Sequence, residues 1–235
     1  MNKFYLIVII VATIIASIFI ITFGLGVALG NLVRGIPLDQ HKEFTGTLLD
    51  LLHPYTLLVG LLTVSLFFMH GALFTLLKTE GALYEKIKQR VNPSMIFFIM
   101  CYAITTVYTL IYLPHMTQTI KERPIFFVVA LINMFTIANI PREVNRKKIP
   151  TAFLFSCLNI ICLLALYAIG TYPYVVRAIN DPENLSLTIY NSSSSPLTLK
   201  ILLIIACIGV PLVLAYTTAI YWIFHGKVKL DRSSY

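Results

Sequence analysis

Apolar residues fill six long stretches, at about positions 4–30, 51–77, 94–114, 124–140, 151–172 and 197–226, with short polar connections between them. Each reaches or approaches the roughly 20 residues that carry a helix across about 30 Å of hydrocarbon. A helix on the surface of a soluble fold would show a polar stripe, and these show almost none. The pattern therefore predicts an all-α, polytopic membrane bundle of six transmembrane helices, one membrane domain over residues 1–235. The fourth stretch is the shortest. Pro54 and Pro124 stand at helix starts, where a missing N–H costs nothing, and Pro211 falls inside the sixth span, where a kink is expected. The longest connections are 31–50 and 173–196. The first carries turn chemistry in Gly35–Ile36–Pro37–Leu38–Asp39 and predicts a short interfacial turn after Thr45–Gly46. The second alternates over Leu185–Ser186–Leu187–Thr188–Ile189–Tyr190 and predicts an extended surface segment. Tyr172, Tyr174, Tyr221 and Trp222 are placed as interfacial anchors.

Charge then orients the bundle. The first tail (Lys3), second connection (Lys78, Lys86, Lys88, Arg90), fourth connection (Arg142, Arg146, Lys147, Lys148) and last tail (Lys227, Lys229, Arg232) hold twelve bases against four acids. The other connections hold six bases against six acids, so the whole formal charge of +8 falls on one side. The positive-inside rule makes that side cytoplasmic, with both termini. A pI near 9.3 is thereby used up by topology and anionic headgroups, and nucleic-acid binding is disfavoured.

Composition narrows the chemistry. Hydrophobic content of 58% and a mean hydropathy of +0.84 suit lipid. Cys101, Cys157, Cys162 and Cys207 lie in apolar helices without CxxC spacing, and read as small core residues rather than disulfide or metal partners. No Asp, Glu, Lys or Arg lies deep in a span, which removes the usual mark of an ion path and leaves no acid–base pair for hydrolysis in the membrane. His70 is the one deep histidine; His53, His41, His115 and His225 are in connections or at ends. A b-type haem with two axial histidines needs a partner at similar depth, so a hydrogen-bonded interhelical His70 is favoured over a ligand. On the third span Tyr102, Thr105, Thr109 and Tyr112 recur at helical spacing beside Thr106, a stripe that could line a water file or cradle a quinone headgroup but more often joins helices. Asn133, Asn139 and Asn159 read the same way. Gly26 and Gly30 form a small-xxx-small face, with Gly60 on the second span, and these faces call for partners beyond six helices.

Two regions carry a family resemblance. The run FGLGVALGNLVRGIPLD (residues 23–39) followed by EFTGTLLDLLHPYTLLVGLLTVSLFFMHGALFTLLKTEG (residues 43–81) resembles the most recognisable stretch of the smaller, second subunit of cytochrome bd-type quinol oxidases. Several members have Asn where this chain has His53. YPYVVRAINDPENLSLTIYNSSSSPLTLKILL (residues 172–203) and PLVLAYTTAIYW (residues 211–222) are similar to that family's closing region. The resemblance implies a subunit of a quinol:oxygen oxidoreductase in the bacterial inner membrane, without haem of its own. Haem b, haem d and the quinol site would belong to a large partner subunit that reduces oxygen to water and helps generate proton-motive force. The family's second subunit usually has about nine spans, each sized to the bilayer, and this chain matches its last six. The acidic proton-uptake positions of characterised members therefore do not transfer, and a truncated or split reading frame is the expectation. The competing reading, half of a secondary transporter, requires a broken helix pair around a midplane site, for which Pro211 is a single interruption.

Overall fold

The computed structural model describes residues 3–224 and residue 226. Lys227, Lys229, Asp231 and Arg232, all used in the charge count, and His225 lie outside the described residues. Among the described residues there are seven α-helices: α1 Lys3–Arg34, α2 Pro54–Lys78, α3 Gly81–Tyr112, α4 His115–Glu122, α5 Phe127–Asn145, α6 Ile149–Thr171 and α7 Pro196–Ile223. A 3-10 turn, Pro124–Phe126, leads into α5, and two short strands, β1 Tyr174–Val176 and β2 Leu187–Thr188, pair antiparallel between α6 and α7. All the described helices except α4 are long and apolar enough to span a membrane, six in all.

The expected spans are found, with corrected ends. α3 starts at Gly81, so Lys86, Lys88 and Arg90 ride on the first turns of a helix and not on a connection, and Pro93 lies inside it. α5 likewise runs through Pro141 to Asn145 and carries Arg142. Hydropathy marks where hydrocarbon ends, whereas backbone hydrogen bonding continues into the headgroup layer. A proline there removes one such bond, which neighbouring polar groups can replace. Pro54 and Pro196 occupy first-turn positions, with His53 and Ser195 as side-chain caps. Pro211 sits within α7 without interrupting it, so the broken helix of the transporter reading is not seen there. α4 is an addition that the apolar pattern did not contain.

Packing is densest in the half of the bundle that holds the basic residues. Met69, Leu73 and Leu76 of α2 meet Val91, Met95 and Phe98 of α3, Ile137 and Ile140 of α5, and Ile149 and Ala152 of α6. α1 docks on α2 through the predicted glycine face. A Cβ on Gly26 would lie 2.5 Å from Thr63 Oγ1 and 2.7 Å from Gly60 Cα, and one on Gly30 would lie 2.9 Å from Thr56 Cα. The expectation that these faces need helices outside the chain is thus corrected: α1 and α2 satisfy each other. α7 buries none of its described residues and touches the bundle at one end, where Phe74 meets Tyr221 edge-on and Lys78 Nζ donates to the Phe224 carbonyl at 3.0 Å.

The odd-numbered connections gather at the opposite end, here called the loop end. Gly35, at φ +94°, ends α1 and lets the chain turn; the Ile36 N–H then donates to Arg177 O, and Ile36 bridges Ala178. Asn180 exchanges two hydrogen bonds with the backbone of Leu38. His115 holds Val33 O at 2.9 Å, tying the third connection to the first. Leu187–Thr188 is extended as the alternation predicts, although the paired segment is only two residues long.

Candidate functional site

The sequence candidates are distributed over separate helix–helix joints. His70 is 8 residues from the α2 C-terminus, about 12 Å along the axis and close to mid-membrane. Its Nδ1 is 2.9 Å from Ser156 Oγ on α6, and its ring stacks on Phe153 with centroids 4.9 Å apart. Tyr102 accepts from Asn133 Nδ2 through its hydroxyl at 3.0 Å, joining α3 to α5. Thr109 meets Tyr55 OH at 3.1 Å, joining α3 to α2, while buried Thr105 turns back to the Cys101 carbonyl. Tyr112 faces outward at 65% exposure, so the stripe does not line a common channel. His70, Tyr102 and Thr109 each reach across to a neighbouring helix, whereas Thr105 bonds within α3 and Tyr112 faces outward.

These geometries test the fit of a cofactor. A haem held by two histidines would need His70 free and opposed by another imidazole. His70 is instead engaged by Ser156 and Phe153, His53 caps α2 by accepting from the Tyr55 N–H at 3.2 Å, and His115 is committed to Val33. Among the described residues no three His, Cys, Asp or Glu side chains converge to hold a metal ion. The donor set among the described residues does not fit a haem held by two histidines. On α3 the Tyr102 and Thr109 hydroxyls are engaged by neighbouring helices and that of Thr105 by its own helix backbone.

Two further polar features stand out in the helices, the first at asparagines that the sequence pattern marks as packing residues. Asn133 and Asn159 are completely buried on α5 and α6. They stand 12 and 10 residues from the turn between those helices, about 18 and 15 Å by helical rise, and hence at similar depth. Both amide atoms of Asn159 and the Oδ1 of Asn133 lack a hydrogen-bond partner among the described residues. Glu143, counted in the sequence as a loop acid, is buried on α5 with 6% exposure and pairs with Arg146 at 3.5 Å.

The loop end holds a cleft of about 900 Å³ between α4, the end of α6 and the fifth connection. It presents both signs of charge, Arg123 and Arg177 on one hand and Glu122, Asp181 and Glu183 on the other, with His115 beside them. Burial pushes the His115 imidazole below its ordinary pKa of 6.5; the Val33 carbonyl opposes this and the Arg177 charge adds to it. The Arg177 guanidinium lies 5.4 Å from the Tyr174 ring centroid. Asp181 is held below the usual carboxylate range by the side-chain amide and backbone N–H of Asn184. No sequence motif announces this cleft. The only signal was the even mixture of acids and bases in the third and fifth connections, which bears on topology and not on proximity.

Similarity to known proteins follows the same helices. The family described as cytochrome bd terminal oxidase subunit II matches residues 6–224. Cytochrome bd-I ubiquinol oxidase subunit 2 of Escherichia coli strain K12 is 24% identical over 237 residues, covering 88% of this chain and 62% of that protein. The probable cytochrome oxidase subunit 2 of Haemophilus influenzae is 27% identical with the same coverage. Cytochrome bd ubiquinol oxidase subunit 2 of Bacillus subtilis is 26% identical over 211 residues, covering 88% of this chain and 60% of that protein. The chain thus spans about three-fifths of the length of these curated relatives. Taken with the six membrane-spanning helices, this kinship makes it a multi-pass protein of the bacterial cytoplasmic (inner) membrane. Since the match runs unbroken from the first described span to the last, the chain belongs to the cytochrome bd terminal oxidase subunit II family.

Proposed function

We propose that this chain is the non-haem-ligating membrane subunit of a cytochrome bd-type terminal oxidase, folded as one membrane domain. Its partner would be the large subunit I that carries haem b and haem d, oxidises quinol and reduces oxygen to water. In this reading the complex releases protons from quinol on the outer side and consumes cytoplasmic ones, generating proton-motive force. The present chain supplies packing surface and a lipid-facing wall, and no catalytic residue of its own. The observation that carries the reading is the family match over residues 6–224. It is supported by polar residues of α2, α3, α5 and α6 that are spent on holding helices together. Both termini are proposed to be cytoplasmic, with the loop end outside, because the basic residues crowd the opposite end.

The test is to express the chain with and without a large subunit I and record optical spectra after purification. Haem absorbance is expected only in the co-expressed sample, with quinol-dependent oxygen consumption. Haem bound by this chain alone would refute the proposal. Alkaline phosphatase fused after Lys148 should stay inactive, and after Ser192 it should be active; the reverse pattern would invert the orientation.

A further inference from the structure

We propose that the groove between α2 and α3 at the basic end is a binding site for an anionic phospholipid, with the phosphate held by Lys86 and Arg90. The groove encloses about 480 Å³, and its walls include Phe68, Gly71 and Ala72 of α2 and Ile87 of α3. Among the described residues Lys86 and Arg90 are the only charged ones that line it. An acyl chain would lie along the apolar wall, and the headgroup would sit where the first turns of α3 leave the hydrocarbon.

Three observations point to an anion with an apolar tail. The first is charge arrangement. Lys86 and Arg90 are four residues apart on α3, hence on one face and about 6 Å apart along the axis. Two like charges so placed repel unless an anion sits between them. The acid next to Lys86 in sequence does not serve: Glu85 reaches Lys88 instead, at 3.7 Å. No acidic residue among the described ones lines the groove.

The second is shape. Gly71 keeps the groove open, because a Cβ there would meet nothing within 4 Å. Elsewhere on α2 the glycine at position 60 is needed for close helix contact, with Phe23 2.9 Å from where its Cβ would be. Gly71 has no such packing role, so the space it leaves is available to a ligand. The third is depth. Gly71 is 7 residues from the end of α2, about 10 Å of helix, so the apolar wall runs into the hydrocarbon while the two cations stay at its edge. Arg offers a forked donor set matched to phosphate and Lys a mobile point charge, the usual pair for a phosphodiester on an anionic membrane face. A neutral quinone would leave both cations unmatched. This inference does not depend on the oxidase role.

The experiment uses the full chain in the assembly it forms, purified in mild detergent and exposed to dioleoylphosphatidylglycerol or dioleoylphosphatidylcholine, with retained lipids counted by native mass spectrometry. The unaltered protein should keep one phosphatidylglycerol about tenfold more firmly than phosphatidylcholine. Lys86→Gln with Arg90→Gln should abolish that preference, and Lys88→Gln should leave it intact. A Cβ at Gly71 meets nothing within 4 Å, so Gly71→Leu has room to start into the groove and should lose retention of both lipids, with folding checked by monodisperse elution. Unchanged phosphatidylglycerol retention in the double variant would overturn the proposal. So would equal retention of the two lipids by the unaltered protein, unchanged retention in Gly71→Leu, or a neutral quinone displacing the bound lipid.

Discussion

Two glycines on α1, two residues apart, isolate what holds that helix to the bundle. At Gly24 an added Cβ meets nothing within 4 Å; at Gly26 it would lie 2.5 Å from Thr63 Oγ1, 2.8 Å from Thr63 Cβ and 2.7 Å from Gly60 Cα. Ordinary carbon contacts are about 3.5–4.0 Å, so α1 must retreat from α2 by on the order of 1 Å to admit the methyl. Part of the obstruction is backbone, which cannot rotate away. Over-packing of this kind costs about 1–3 kcal/mol. Gly→Ala also stabilises a helix by about 1 kcal/mol, but that gain is common to both sites and drops out of the comparison. Gly26→Ala should therefore be less stable than Gly24→Ala by about 1–3 kcal/mol. For a chain of this size each kcal/mol corresponds to about 2–4 °C in Tm. The assay is thermal unfolding of the two variants in one detergent, followed by loss of monodisperse elution. Equal midpoints, or a lower one for Gly24→Ala, would show that α1 does not dock through its glycine face.

Other outcomes follow from single contacts. Ser156→Ala removes the hydrogen bond of His70 and should cost about 0.6 kcal/mol, the average for such bonds in membranes; haem absorbance of the co-expressed complex should be unchanged by His70→Gln, and its loss would make His70 a ligand. Asn159→Leu replaces an amide with no described partner by a side chain of similar outline, and should raise the midpoint by about 1–2 kcal/mol equivalent. A lowered midpoint would mean that this amide is held from outside the described residues. At the loop end, burial lowers the folded-state pKa of His115 below 6.5, so the unfolded chain takes up a proton first. Its contribution to stability is whole above pH 6.5 and declines as pH falls below that value. His115→Gln should flatten the acid limb of a pH-stability profile, and an unchanged limb would exclude His115 as its source.

Hydrophobicity summed over a span is a property of each segment alone, and lipid rewards it segment by segment. That is why six spans, the crowding of bases on alternate connections, the helix-start prolines at Pro54 and Pro124 and the glycine face of α1 were all legible in the sequence. The family was legible too, because its motifs are contiguous. Pairing was not. His70 meets Ser156, Tyr102 meets Asn133, and Glu143 is buried beside Arg146, and no periodicity in uniformly apolar helices says which face turns toward which neighbour. The helix ends escaped for a related reason: the headgroup layer lets α3 begin at Gly81 and pass Pro93, so composition changes before the backbone does. The loop-end cleft arises only when the first, third and fifth connections are drawn together by Val33, Ile36 and Leu38, residues far from their partners in the chain. Each segment could choose the membrane by itself, but its neighbours were chosen by shape and by hydrogen bonds that exist only after the helices have packed.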